Sequence, residues 1–342
     1  MKLPLLGGLT AREFLRRYWQ KRPLFARQAH AELAPIVDFA DLKSLAARDD
    51  VESRIVERHG RRWETAHGPF KGIKPRPSDW TMLVNGVNLH LRGADELLQR
   101  FGFVPQARLD DVMVSYATPG GGVGPHLDRY DVFLVQGPGQ RAWRFDNKRV
   151  VAQPGDLLYL PPGVRHHGVA LDRCFTYSIG FRAPRGVEIG AAFLDWLHER
   201  GLPDADYRDP GLRPAANPGR IPEEMVFFAL NVLKRVAWKD TDVARFLGEY
   251  LSEPKPHVVF EPGAGRRAPE RSVVRLHAKT RLLYRGARFF INGESFTLQR
   301  NAAILRELAD RRAIPGKRLV GTRLGSLISR WQRLGYVNLE NT

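Results

Sequence analysis

Between about residues 50 and 185 the chain is a series of strand-length apolar runs, each cut short by glycine or proline: "DVMVSYATPGGG", "DVFLVQGPGQRAWRF", "QPGDLLYLPPG" and "CFTYSIGFRAP". Runs this short and this regularly interrupted cannot propagate as helices, and their β-branched and aromatic content favours extended backbone. The spacing predicts a β-sandwich or barrel. On either side of this window the pattern is helical. "LTAREFLRRYWQKRPLF" carries Thr10 and Glu13 at capping-box spacing, one apolar face of Phe14, Leu15, Tyr18 and Trp19, and Pro23 as a stop.

Three more helices are expected after the strands: "AAFLDWLHERG", "PEEMVFFALNVLKRVAW" with Pro222 in its first turn, and "TDVARFLGEYLSEPKP", ended by Pro254. A Pro-, Asp- and Gly-rich surface loop separates the first two. Beyond a linker, "EPGAGRRAPE", Asn292-Gly293 sits between strand-like runs and marks a hairpin, and "NAAILRELADRR" and "LGSLISRWQRLGYV" supply two helices. Together these predict a small α+β unit of winged-helix type.

Composition narrows the class. At 342 residues with 43% hydrophobic and 10% aromatic content, the chain is globular and long enough for more than one core. No apolar run is long enough to span a bilayer, and the N-terminal "MKLPLLGGLTAREF" is too short for a secretory signal. The single cysteine, Cys174, excludes an internal disulfide framework and a thiolate zinc site, and fits a cytoplasmic location. Of the net charge of +17, most lies in residues 265–342, which hold 17 Lys/Arg against 5 Asp/Glu. Such a tail attracts nucleic acid or a nucleic-acid-bound partner, and it serves equally well as a solvated arginine-rich surface.

Chemistry concentrates in "GGGVGPHLDRYDVF". In extended backbone, residues two apart point the same way, so His126 and Asp128 can reach one ion. The third ligand comes from "GDLLYLPPGVRHH", where Gly155, Pro161 and His166 follow a Gly-x5-Pro-x4-His spacing similar to the second motif of the cupin superfamily. Gly120-x5-His126 resembles the start of the first. His167 competes with His166, but alternation turns it to the opposite face. Two imidazoles and a carboxylate suit non-haem Fe(II) and leave positions open; zinc is the other metal this set accepts. A 2-oxoacid with a second carboxylate needs a buried cation. In "QRAWRF" alternation groups Arg141 with Trp143 and Phe145 on the interior face, and leaves Arg144 outside.

The blocks "MVSYATPGGGVGPHLDRYDVFLVQGPGQRAWR", "LPPGVRHHGVALDRCFTYSIGFRAP" and "FLGEYLSEPK" together resemble the bacterial ribosomal oxygenases of the JmjC/cupin class, the 50S ribosomal protein arginine hydroxylases. "FLRRYWQKRPLF", "HGPF" and "WTMLVNGVN" fit the same family, so the resemblance covers nearly the whole chain. It implies an α+β chain: a double-stranded β-helix domain over residues 1–185, a helical dimerisation segment over 186–262, and a basic winged-helix domain over 268–342. It also implies Fe(II)- and 2-oxoglutarate-dependent hydroxylation of an arginine in large-subunit ribosomal protein sixteen. By position, the metal ligands are His126, Asp128 and His166, and the 2-oxoglutarate contacts Arg141 and Ser115. An arginine substrate calls for acidic or aromatic neighbours, for which Tyr130 and Asp131 are candidates. A homodimer is implied, with the apolar "MVFFALNVL" as its contact, and nucleic-acid contact through the tail is a further expectation. The competing readings are a nucleic-acid-binding regulator whose cupin domain senses a ligand without turnover, and a zinc cupin acting as a hydrolase or isomerase.

Overall fold

The computed structural model describes residues 3–30 and 35–341; Met1 and Lys2, where the segment read as too short for a signal begins, lie outside the described residues. The first part of the chain holds helices α1 (Ala11–Arg17), α2 (Phe39–Ala46) and α3 (Arg92–Gln99). Its strands are β1 (Leu24–Ala26), β2 (Ser53–His59), β3 (Arg62–His67), β4 (Trp80–Val84), β5 (Leu109–Ala117), β6 (Val132–Gln136), β7 (Arg141–Phe145), β8 (Lys148–Ala152), β9 (Leu157–Leu160), β10 (His166–Ala170) and β11 (Cys174–Phe181). There follow α4 (Gly186–Glu199), α5 (Glu223–Lys234), α6 (Asp240–Ser252), β12 (Ser272–Leu276), β13 (Leu282–Arg285), β14 (Arg288–Ile291), β15 (Glu294–Thr297), α7 (Ala302–Arg311), β16 (Ala313–Pro315), α8 (Leu324–Arg333) and β17 (Val337–Asn341).

Strands β1 to β11 form two antiparallel sheets. The larger has the order β1-β9-β6-β11-β5-β4-β2-β3, the smaller β10-β7-β8. Between them lies an apolar cluster drawn from both: Val132, Leu134, Leu158 and Leu160 from the large sheet, Trp143, Phe145 and Ala152 from the small one. This is the double-stranded β-helix that the resemblance implied. The outer face of the large sheet carries the main core. There Phe14 of α1, fully buried, makes edge contact with Tyr159 at a centroid distance of 4.9 Å and packs on Phe133 at 5.4 Å. Burial of each such ring is worth about 1.5–3 kcal/mol.

Local signals are realised with informative exceptions. The Thr10–Glu13 capping box is present, Glu13 N–H donating to Thr10 Oγ1 at 3.1 Å and Thr10 N–H to Glu13 Oε2 at 2.8 Å. The helix ends at Arg17, well before Pro23. Gln20 adopts a left-handed φ of 54°, and its N–H donates to the Tyr159 hydroxyl at 2.8 Å, so a tertiary bond, rather than the proline, takes the chain out of the helix. Pro222 occupies the N-cap of α5 rather than its first turn. Asn292-Gly293 turns β14 into β15, and Glu253 after α6 leads to Pro254, both as the sequence indicates.

Contacts group the chain into two units. One comprises the residues up to Ala183 with Pro254–Thr280 and those from Arg300 onward; the other comprises Pro184–Glu253 with Arg281–Gln299. The basic region 268–342 is therefore shared: β13 to β15 belong with α4 to α6, whereas β12, β16, β17, α7 and α8 belong with the β-helix unit. Within the second unit the Glu249 carboxylate is a hub. Trp196 Nε1 (2.7 Å) of α4, Arg200 Nη2 (2.8 Å) at its C-cap, Arg245 Nε (2.8 Å) of α6 and Ser295 Oγ (2.6 Å) of β15 all donate to it. Helix α5, by contrast, leaves Met225, Val226, Phe227, Leu230 and Leu233 exposed. Among the described residues no helix is long and apolar enough to cross a membrane.

Candidate metal centre

The glycine-rich segment after β5 runs alongside β10. Gly120 N–H donates to Ala170 O at 2.9 Å, Ala170 N–H to Gly121 O at 2.9 Å, and His126 and His166 exchange backbone bonds of 3.1 and 2.9 Å as an antiparallel bridge. Directly paired residues share a face. The two imidazoles therefore meet inside the barrel, ring centroids 4.3 Å apart. Glycine is needed in this approach: Gly124 has a φ of +78°, and a Cβ there would meet the Trp63 indole at 3.1 Å.

Asp128 completes the group. Its backbone carbonyl accepts from Gly163 N–H of the Pro-Pro-Gly corner at 2.8 Å, which ties it to the turn that delivers His166. Its Oδ1 lies 4.0 Å from His126 Nε2 and its Oδ2 3.7 Å from His166 Nε2. One ligand atom from each residue falls within 4.8 Å of the others.

The donor chemistry fits a metal ion. His126 Nδ1 lies 3.0 Å from Gly124 O, and His166 Nδ1 lies 3.0 Å from Val164 O. A carbonyl only accepts, so each Nδ1 carries the proton and each Nε2 presents a lone pair toward Asp128. Such outer bonds orient imidazole ligands and set their tautomer. Burial lowers the pKa of His166, which keeps it neutral and available as a ligand. His167, the competing histidine, points the other way, edge-on to Trp63 with centroids 6.0 Å apart.

Arg141 of β7 is inside the barrel, 5% exposed, while Arg144 is outside. Its guanidinium lies 5.8 Å from the Trp143 ring centroid, and the Trp143 ring lies 6.1 Å from that of His166. Arg141 Nε and Nη2 are buried without a hydrogen-bond partner in the protein. A buried guanidinium with unused donors is costly unless an anion joins it, and a carboxylate matches its fork. Ser115 of β5, buried, stands opposite Leu83 of β4 and Thr176 of β11 on the interior face.

The two candidate substrate contacts separate. Tyr130 is partly exposed beside the triad, its phenol pushed up to about 12 by burial and then by the Asp128 and Asp111 carboxylates. Asp131 is not brought to that group. It is fully buried on the opposite side, where its carboxylate accepts from Tyr159 Oη at 2.6 Å and Gln20 Nε2 at 3.0 Å and pairs with Arg108 at 3.4 Å. It anchors the start of β6, three residues after Asp128, and so holds that loop in place.

Three further residues shape the interior: Trp143, which alternation already groups with Arg141, and Gly168 and Arg54, which the sequence does not single out. Trp143 walls the space between Arg141 and His166. Gly168 makes room for it, because a Cβ there would meet the indole at 2.6 Å. Arg54 of β2 has a buried, unpartnered Nε and reaches Met113 Sδ at 3.8 Å. The alternation of β7 pointed to the first; the others depend on which strands pair.

Comparison with known proteins agrees with this architecture. Residues 96–153 and 145–189 match the model of the JmjC domain, and residues 235–331 that of the ROXA-like winged helix. The chain is 34% identical over 274 residues to the ribosomal protein uL16 3-hydroxylase of Escherichia coli K12, covering 73% of each. It is 37% identical over 203 residues to a probable ribosomal oxygenase of Haemophilus influenzae, covering 52% of this chain and 50% of that one. The solved structure of YcfD, a ribosomal oxygenase from Escherichia coli in complex with cobalt and 2-oxoglutarate, superposes with a TM-score of 0.82 at 30% identity over 97% of this chain and 99% of that one. By fold, sequence and domain order, this chain belongs to the ribosomal oxygenases, hydroxylases built on a JmjC domain and a ROXA-like winged helix.

Proposed function

We propose that this protein is an Fe(II)- and 2-oxoglutarate-dependent dioxygenase that hydroxylates an arginine side chain of ribosomal protein uL16. The observation that carries the reading is the pairing of an open His2Asp set with a buried guanidinium lacking a partner, both inside one barrel. The relative solved with cobalt and 2-oxoglutarate and the relative that hydroxylates uL16 support the co-substrate and the target. Fe(II) follows from the donor set, since two imidazoles and one carboxylate with open positions suit non-haem iron.

His126, Asp128 and His166 would hold the metal, which supplies the oxidising chemistry that no side chain here can provide. The protein's own part is placement. The Nδ1–H bonds to Gly124 and Val164 fix both imidazole planes. Arg141, with Ser115 on the facing strand, holds the distal carboxylate of 2-oxoglutarate, and Trp143, Leu134 and Leu158 keep water from the interior. Tyr130, at the mouth, contacts the substrate side chain.

The test is succinate formation by the metal-loaded protein with uL16 present. The reading requires turnover that depends on uL16 and is lost in His126→Ala. Metal loading with zinc alone and no consumption of 2-oxoglutarate with any ribosomal protein would contradict it. We further propose that the exposed apolar residues of α5 meet the same face of a second copy, because Val226, Leu230 and Leu233, with Phe227 beside them, form an apolar stripe unusual for a surface left in water. Light scattering should then give twice the chain mass for the native protein and the chain mass for Phe227→Glu/Leu233→Glu.

A further inference from the structure

The outer face of the small sheet carries charge that the fold does not use. Arg144 of β7 lies directly opposite Arg149 of β8 and directly opposite His167 of β10. Like charges in register across a sheet are destabilising. The hairpin joining β7 and β8 enforces this one: Asp146 and Asn147 both take left-handed φ values, 43° and 60°, in the two-residue turn that sets the register. Lys148 and Arg165 stand beside them. Arg144, Lys148, Arg149 and Arg165 are exposed, and among the described residues none of the four forms an ion pair or a side-chain hydrogen bond. They line a groove of about 630 Å³ together with Asp146, Asn147, Phe145 and Pro125, and the groove reaches His167 and the metal ligand His166.

Four cations against one carboxylate, Asp146, in a groove beside the reaction site make a local positive potential that suits an anion with several charges. Several exposed arginines elsewhere are neutralised by acids. Arg58 is paired with Asp79, Arg27 with Asp156, and Arg318 and Arg311 with Glu307. We propose that this groove binds the phosphodiester backbone of RNA next to the mouth of the metal centre. Three of the four cations are arginines, whose planar forks suit phosphate oxygens, and a polynucleotide presents one charge per nucleotide without requiring a run of acidic residues. The choice of RNA over an acidic peptide rests on the hydroxylase reading above, whose target is a ribosomal protein and so a partner of RNA. The groove then grips the nucleic acid while the barrel receives the side chain. It lies on the β-helix unit and is distinct from the basic C-terminal region.

Fluorescence anisotropy of the full-length chain with a labelled mixed-sequence single-stranded RNA, followed over a salt series, tests the proposal. Each phosphate contact contributes about 0.7 to the slope of log affinity against log salt. Arg144→Gln/Arg149→Gln should lower the slope by about 1.4 and weaken binding about tenfold near physiological salt, whereas Arg144→Lys/Arg149→Lys keeps most of the slope. A wild-type slope in the glutamine variant, or a lysine variant as impaired as the glutamine one, would overturn it. So would tighter binding of a polyglutamate peptide than of RNA. Loss of uL16 hydroxylation with RNA binding intact would count against the hydroxylase reading and leave the groove standing.

Discussion

His126 and His166 face each other across a single antiparallel bridge, and each donates its Nδ1–H to the carbonyl two residues upstream, at 3.0 Å in both cases. The repetition makes the two imidazoles equivalent: same tautomer, same free nitrogen, both turned to Asp128. Backbone carbonyls, which cannot be mutated away, hold the site in register.

Removing one ligand should therefore abolish metal binding without disturbing the fold. His166→Ala or Asp128→Asn is expected to weaken Co(II) or Fe(II) binding by about 100-fold or more, beyond the 10–100-fold typical of outer-sphere changes. Isothermal titration calorimetry measures it, and circular dichroism should show an unchanged β signal.

Arg141 predicts effects of opposite sign in the two states. Without co-substrate its buried guanidinium lacks partners, so Arg141→Met should stabilise the apo-protein by about 1–3 kcal/mol. With metal and 2-oxoglutarate the wild type should gain thermal stability and the variant should not. Its KM for 2-oxoglutarate should rise about 100-fold, the effect of truncating one partner of a buried charge pair. Melting curves with and without ligand separate the two.

Gly168→Ala tests the wall of the pocket. The added methyl group would meet the Trp143 ring at 2.6 Å, so the indole must move. Overpacking of this kind costs about 1–3 kcal/mol. Because Trp143 lies between Arg141 and His166, 2-oxoglutarate binding should fall as well. Tryptophan fluorescence and a 2-oxoglutarate titration report the two effects.

Acid should loosen the two units at different pH. In the β-helix unit, burial and then Arg100 lower the pKa of His30 from the ordinary 6.5 to about 4, so the folded state keeps it neutral. The unfolded chain binds the extra proton between those values, and stability falls as pH drops through that window. In the other unit Glu249 is raised by burial but lowered more by its bonds from Ser295, Trp196 and Arg245, for a net depression. Its contribution is complete above the usual glutamate range and is lost only as pH falls below it. Hydrogen exchange read by segment should show protection near His30 declining first, and Glu249→Gln should destabilise the α4–α6 unit by about 1–3 kcal/mol at neutral pH.

Much of the site was legible because it depends on strand alternation and turn chemistry, which are local. His126 and Asp128 two apart, His166 after its Pro-Pro-Gly corner and Arg141 grouped with Trp143 all follow from period-two reading of short strands. Asp131 was misplaced because it lies in the irregular stretch before β6, where no period says which way a side chain points. Gly168 and Arg54 were invisible for another reason: their partners, Trp143 and Met113, are set by strand pairing across long separations. The helix end at Arg17 shows the same limit, since the Tyr159 hydroxyl that captures Gln20 is 139 residues away.

The most direct measurement is intact-mass and fragmentation analysis of uL16 after incubation with the Fe(II)-loaded protein, 2-oxoglutarate and oxygen. The account predicts the gain of one oxygen atom, localised to an arginine side chain, with His126→Ala and Asp128→Asn giving none. An unmodified uL16 with the wild-type protein, or a gain that persists in both variants, would contradict it.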